Sequence, residues 1–357
     1  MRLPSSAKHE ARTEAKNKAA KQSTPSGPRP TVLIFATGGT IGMRSTDKGL
    51  APDPDFEHAL EEMVRSICEP LGIEYWINHL SPAIDSANAD AETGSRVARA
   101  VRARVRTKRP DGVIITHGTD TLAYTGARIA FELDGLGVPV VLTGSQLAHG
   151  APQSDAPANL SLAIRAAVRA SNDAPACIAF GGKLMPAIRA TKAQAEAMQA
   201  FRAERELGKN RTGVPSHITK GAGRLTPART VLFRFVPGVI AEDLRAAAST
   251  NPDGIVLECY GSGNAPMARH GMAQALRDIC AQIPVVAITQ CATGSVEPGR
   301  YAVGSELAAT GVIAGADMTV EAALAKLAFG IDSRLEGASL REFMLHNIVG
   351  ELSPEAA

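Results

Sequence analysis

The stretch TVLIFATGGTIG, Thr31–Gly42, decides the reading of this chain. Val32, Leu33, Ile34 and Phe35 form a short apolar run rich in β-formers, as a buried strand requires. The run then breaks into Thr37-Gly38-Gly39-Thr40. A plain turn needs glycine, but it does not need a hydroxyl on each side. Either the loop cradles a phosphate, or one of the two hydroxyls does chemistry.

Working outward, the chain alternates strand and helix signals. Helices are predicted over 56–67, 94–107, 122–133 and 159–170, and strands over 112–116, 138–143 and 176–180. Strand, helix and strand with short connections mean parallel βαβ units. In such sheets ligands bind beyond the carboxyl ends of the strands. The loops that leave those ends are TGGT (37–40), HGTDT (117–121) and GSQ (144–146), and they are expected to converge on one edge. A second α/β run has predicted strands at 230–235, 254–258 and 284–289. Its predicted helices span 241–248, 267–281, 319–329 and 340–347. The fold class is therefore α/β, with a larger N-terminal, mostly parallel sheet domain over 31–201 and a smaller C-terminal α/β domain over 229–357. Residues 202–228 are polar and rich in Gly, Pro, Lys and Arg, and read as a linker with an irregular crossing segment. Residues 1–30 have almost no large apolar side chains and no apolar signal-peptide core, and read as a disordered tail. Glu10 and Glu14 disfavour an import peptide.

Composition narrows the function. The 357 residues carry a net charge of +2 and only 4% aromatics, which argues against a nucleic-acid or membrane partner. The arginines of 94–107 surround Val97, Val101 and Val105 and read as a solvated helix face. Five scattered cysteines form no CxxC pair, and eight histidines form no HExxH, so neither a disulfide scaffold nor a zinc site is expected. A reducing, cytoplasmic setting fits that usage. No apolar run has the length of a membrane span.

A phosphate loop finds little support. GGTIG at 38–42 is not GxGxxG, and Gly182-Lys183 is followed by Leu184, so no Walker sequence exists. The second loop favours chemistry. Thr119 and Asp120 follow a buried strand and Gly118, where either could simply cap the next helix. A hydroxyl is a weak nucleophile unless a base takes its proton. A lysine oriented by a carboxylate can do so, and Lys192 in RATKAQ (189–194) is available, unless it is an ordinary solvated lysine.

The motifs TGGTIG, HGTDT, TGSQ, ATKA, YGSGNAP (260–266), TQCATG (289–294) and GVIAGADMTVEAALAKL (311–327) together resemble the bacterial L-asparaginase family, in particular its cytoplasmic type I branch. The likeness runs from about Thr31 to the C-terminus. It implies hydrolysis of L-asparagine to L-aspartate and ammonia without metal or organic cofactor, in a homodimer or homotetramer. Thr40 would be the nucleophile, and Thr119, Asp120 and Lys192 would relay protons. Gly39 and Gly118 would lie against the substrate, with the backbone N–H groups around Gly39 and Thr119 facing the oxyanion. Asp85, Ser86 and Asp120 would grip the α-carboxylate and α-amine, and the Ser145 backbone would meet the side-chain amide. Asn264 would reach the site from the second domain, or else is a turn asparagine in left-handed geometry.

The sequence also departs from the family pattern. Leu50 stands where a loop tyrosine usually orients the nucleophile. Glu297 lies near the place of a glutamate donated by a neighbouring subunit, but its surroundings do not match. Glu258 replaces an arginine tied to an allosteric asparagine site, which predicts a lost or altered allosteric response. These departures keep two further readings open. One is a weakly catalytic or non-catalytic binding homologue. The other is an amidase subunit feeding ammonia to a partner, as in tRNA-dependent amidation.

Overall fold

The computed structural model describes residues 28–47, 49–218, 226–296 and 302–353. Most of the 1–30 tail, and Glu297, lie outside the described residues. In the N-terminal half, β1 (Thr31–Gly38) leads to a hairpin of β2 (Met43–Thr46) and β3 (Gly49–Pro52), then α1 (Phe56–Cys68) and β4 (Glu74–Ile84). There follow α2 (Thr93–Lys108), β5 (Gly112–Thr116), α3 (Leu122–Glu132), β6 (Val140–Thr143), α4 (Ala156–Arg169), β7 (Cys177–Phe180) and β8 (Lys183–Pro186). A two-stranded ribbon, β9 (Thr191–Lys192) and β10 (Phe201–Arg202), ends this half. The second half comprises β11 (Thr230–Arg234), α5 (Ala241–Ser249), β12 (Gly254–Cys259), α6 (Met272–Cys280), β13 (Val285–Thr289), α7 (Ala302–Ala308), β14 (Ile313–Ala314), α8 (Val320–Asp332) and α9 (Gly337–Leu345).

The large sheet has the order β4-β1-β5-β6-β7-β8 and is parallel except for the β7–β8 pair. The small sheet, β11-β12-β13-β14, is parallel throughout. β1 is apolar on both faces because both are covered. Leu33 and Phe35 pack with Val97 and Val101 of α2 and with Leu122 and Ile129 of α3. Val32 and Ile34 pack with Leu60 and Val64 of α1 and Leu160 and Ile164 of α4. The four-residue spacing of Val97, Val101 and Val105 buries one stripe of α2, while Arg99, Arg104 and Arg106 stay exposed.

The two halves share a core. Ala127, Ala130 and Phe131 of α3 cluster with Val256, Val286, Leu327 and Phe329 of the second half. The Phe131 and Phe329 rings stack at 5.5 Å. The helix that follows HGTDT is thus clamped between both sheets.

Several predicted boundaries move. The helix expected from 267 starts at Met272, because Gly271 takes φ 75 at its N-cap. Thr319 caps the next helix, accepting from the Ala322 amide, rather than beginning it. The last helix spans Gly337–Leu345 and stops where His346 is extended. The hairpin β2–β3 and the edge strand β4 carry little apolar alternation and give no strand signal. Within 202–228, the described part is tied to the C-terminal segment: Gly208 N donates to Gly350 O at 3.0 Å and Thr212 N to Asn347 O at 3.0 Å. All five cysteines are free thiols, and burial pushes Cys259 up to about 12.

Phe131→Ala should lower unfolding stability by about 3–5 kcal/mol in urea titrations, because it opens a cavity shared by both halves. Leu50→Ala, at an exposed position, should stay within about 0.5 kcal/mol.

Candidate active site

Three loops meet at the carboxyl ends of β1, β4 and β5. Gly39 adopts φ 93, and a Cβ on it would stand 2.3 Å from the Gly118 nitrogen. A Cβ on Gly118 would stand 2.3 Å from Ser86 Oγ. No side chain fits at either position, so the backbones touch. That contact draws together the loops that carry Thr40 and Thr119, each one residue beyond its glycine. Thr121 Oγ1 donates to Ser86 O at 2.8 Å and pins the third loop to the second.

The two threonines that bracket the glycines have different surroundings. Thr37 is fully buried and its hydroxyl donates to Thr116 O at 2.6 Å, tying β1 to β5. Thr40 is half-buried, and its hydroxyl has no hydrogen-bond partner among the described residues. Its backbone is held in a tight turn. Gly42 N donates to Gly39 O at 2.9 Å, and the Met43 amide donates to Thr40 O.

Lys192 comes from the β9–β10 ribbon, in register with Phe201. Its Nζ lies 2.9 Å from Thr119 Oγ1 and 2.9 Å from Asp120 Oδ1. Thr119 is buried, whereas the Asp120 side chain is 60% exposed. The ribbon is fixed from the second half. Thr191 Oγ1 donates to Glu321 Oε1 at 2.7 Å, and the fully buried Arg189 pairs with Asp317 and donates to the Glu351 carbonyl. Burial raises the Glu321 carboxyl above its usual value, with the Thr191 bond acting the other way.

The remaining candidates are placed as follows. Ser86 is buried against Gly118. Asp85 is exposed, and its carboxylate accepts from Ala87 N at 3.2 Å and Asn88 Nδ2 at 2.6 Å, capping the turn that carries Ser86. Ser145 is buried, and its hydroxyl donates to Leu147 O at 2.5 Å. Sequence reasoning missed what holds that loop. Asp155 accepts from Gln146 N and Leu147 N at 3.0 Å each, and Asn159 Nδ2 donates to Gly144 O at 3.0 Å. Asn264 sits apart on the loop after β12, exchanging backbone bonds with Tyr260 at 2.8 and 2.9 Å. It is not left-handed, which corrects the turn reading; Gly261 and Gly263 take the positive φ angles instead.

His117 was also missed. It is fully buried directly before Gly118. A carbonyl only accepts, so Nδ1 carries the proton toward Gly118 O at 2.8 Å, leaving Nε2 to accept from Thr125 Oγ1 at 3.1 Å. Burial lowers its pKa, opposed by the weaker effect of the Gly118 bond. Among the described residues, no group of three or more His, Cys, Asp or Glu could hold a metal ion. No described helix is long and apolar enough to cross a membrane.

The arrangement pairs an unpartnered hydroxyl with a hydroxyl–ammonium–carboxylate line, which is equipment for nucleophilic acyl transfer. The family model "Asparaginase, N-terminal" matches residues 31–214, and "Glutaminase/Asparaginase C-terminal domain" matches 229–344. The chain belongs to the asparaginase family. It is 32% identical to L-asparaginase 1 of Escherichia coli, over 92% of this chain and 99% of that one. The thermostable L-asparaginase from Thermococcus kodakarensis superposes with a TM-score of 0.75 at 31% identity, covering 90% of this chain and 99% of that one. L-asparaginase I from Vibrio cholerae gives 0.78 at 30% identity, covering 91% and 99%.

The neutral His117 predicts a pH effect on stability. Unfolding restores its ordinary pKa near about 6.5, so the unfolded chain binds a proton that the native chain does not. The stabilising contribution is complete above about pH 6.5 and falls as pH drops toward the lowered native value. Urea midpoints between pH 7 and pH 5 should therefore decline less steeply in His117→Gln than in the wild type.

Proposed function

We propose that this chain is an L-asparagine amidohydrolase that releases L-aspartate and ammonia through a threonine ester. Thr40 attacks the side-chain amide carbon, ammonia leaves, and water then hydrolyses the β-aspartyl ester. Thr119, Lys192 and Asp120 move the protons. Backbone N–H groups around Gly39 and Thr119 receive the oxyanion, an arrangement typically worth several kcal/mol of barrier. Ser86, Asp85 and Asp120 take the α-carboxylate and α-amine, and the Ser145 backbone takes the side-chain amide. Asn264 approaches the site of a second subunit in a homodimer or homotetramer. A cytoplasmic location accords with the free cysteines. The observation that carries the reading is Lys192 Nζ at 2.9 Å from both Thr119 and Asp120, on a loop whose Gly118 packs against Gly39, the residue before Thr40.

One observation favours a weaker catalyst. Leu50 is 54% exposed on β3, opposite Ser45, and cannot hydrogen-bond to Thr40. A homologue that binds aspartate without turnover would then remain. Ammonia release from L-asparagine, measured beside L-glutamine, separates the two readings. Turnover by the wild type that is abolished in Thr40→Ala is expected. No turnover, with aspartate still raising Tm, would instead establish a binding protein.

A cavity of about 180 Å³ lies between the halves, lined by Arg189, Arg205, Glu258, Cys291 and Glu321 among others. Glu258 is buried there, 3.6 Å from Arg234. Its charge disfavours a carboxylate beside it, so the rate curve against asparagine should be hyperbolic. A strongly sigmoidal curve would sink this point.

A further inference from the structure

The segment that begins at Thr40 leaves the sheet, forms the exposed hairpin β2–β3 and returns at Asp53. Its backbone carbonyls next to the nucleophile are all engaged. Gly39 O and Thr40 O accept within the turn, and Gly42 O accepts from Asp53 N at 2.9 Å, closing the hairpin's base. The remaining carbonyl, Ile41 O, is taken by a side chain from a different loop. His149, five residues beyond Gly144, places Nδ1 3.1 Å from it. The other ring nitrogen, Nε2, lies 3.4 Å from Asp53 Oδ2. The ring also packs against Phe56 at 5.6 Å. His149 and Asp53 are 14% and 13% exposed, so the contacts lie beneath the hairpin and not on its surface.

We propose that His149 is a positioning residue that ties both ends of the 41–53 segment to the loop carrying Ser145, and so sets the turn in which Thr40 stands. Ile41 O can only accept, so Nδ1 donates to it. Nε2 faces the Asp53 carboxylate on the returning strand. One imidazole thus spans the outgoing and returning strands at the point where the hairpin leaves the scaffold. Leu50, exposed near the hairpin's tip, offers no polar contact that could replace it. This inference rests on Thr40 being the nucleophile, but the restraint on the hairpin can be read without turnover.

The test uses the full chain and three variants. His149→Phe keeps a ring and loses both polar contacts. His149→Asn keeps a donor near the Nδ1 position, and His149→Gln keeps one near Nε2. Amide hydrogen exchange over 43–52 should speed up about tenfold or more in His149→Phe and return toward the wild-type rate in His149→Asn. With L-asparagine, kcat should fall on the order of 10- to 100-fold in His149→Phe while KM stays within about twofold, and His149→Asn should recover most of it. Unchanged exchange, or faster exchange with unchanged kcat, overturns the proposal. If His149→Phe fails to fold, Asn is compared with Gln. Higher kcat in Asn supports the role of the Ile41 contact, and equal or reversed values overturn it. If Thr40→Ala retains wild-type turnover, the nucleophile reading fails, and exchange alone decides whether His149 holds the hairpin.

Discussion

The backbone contact between Gly39 and Gly118 is the constraint from which the site follows. Adjacent parallel strands end side by side, about 4.8 Å apart, and their loops ordinarily diverge to make room for side chains. Here they do not diverge, because a Cβ at either position would stand 2.3 Å from a neighbouring atom. The strands β1 and β5 are held in register by their ladder and by the Thr37 bond to Thr116. With the strands fixed and the loops in contact, the residues one step beyond each glycine must share a small volume. Those residues are Thr40 and Thr119. The approach of the two loops that carry these threonines is therefore a steric consequence of sheet order and two missing side chains.

Lys192 arrives by a different route. It is not on a loop following one of the parallel strands but on a two-residue ribbon, which by itself has little stability. What holds that ribbon is a buried set of charges from the second half. Arg189 pairs with Asp317 and reaches the Glu351 carbonyl, while Glu351 pairs with Lys326 at 2.6 Å and caps the Ile348 and Val349 amides. Burial lowers the Lys326 pKa, and Glu351 opposes that. Losing one member of such a pair typically costs about 3–5 kcal/mol, because the other is left charged in a dry interior. The position of the lysine beside Thr119 and the packing of the C-terminal segment are thus set by the same interactions.

How much of this was legible in the sequence follows from the kind of signal each part leaves. Strands covered on both faces, such as β1 and β5, are continuous apolar runs, and α2 shows its valine stripe. The glycine–hydroxyl loops could be read as converging because strand ends in a parallel sheet share one edge. The hairpin could not be read, since it buries no alternating face, and in β4 the apolar residues divide between two helix layers, Tyr75 and Ile77 against one and Trp76 and Leu80 against the other, with Asn78 and His79 breaking the run. Asp155, Asn159, His117 and His149 left no local signal either. Each acts on a backbone group that only the folded chain brings near, and a histidine facing two oxygen atoms looks in sequence like any other histidine. Asn264 illustrates the opposite error: its neighbours Gly261 and Gly263 absorb the unusual backbone angles, so the asparagine has no need of them.

The site is consequently unequal in its restraints. On one side stand loops fixed by backbone contact, buried hydroxyls and buried charge. On the other stands the β2–β3 hairpin, most of whose residues face solvent. Thr40 lies at the junction, its carbonyl held by the Met43 amide and its hydroxyl without a hydrogen-bond partner among the described residues. The proposed nucleophilic role fits such a separation: a hydroxyl that bonded to the scaffold, as Thr37 does, would have to break that bond before attacking. The turn must be rigid while the oxygen stays uncommitted, and the structure meets both requirements by satisfying the carbonyls of residues 39–42 from the turn itself, from Asp53 and from His149. Position 50 lies outside that set of bonds, which is why leucine there is compatible with an ordered Thr40 turn.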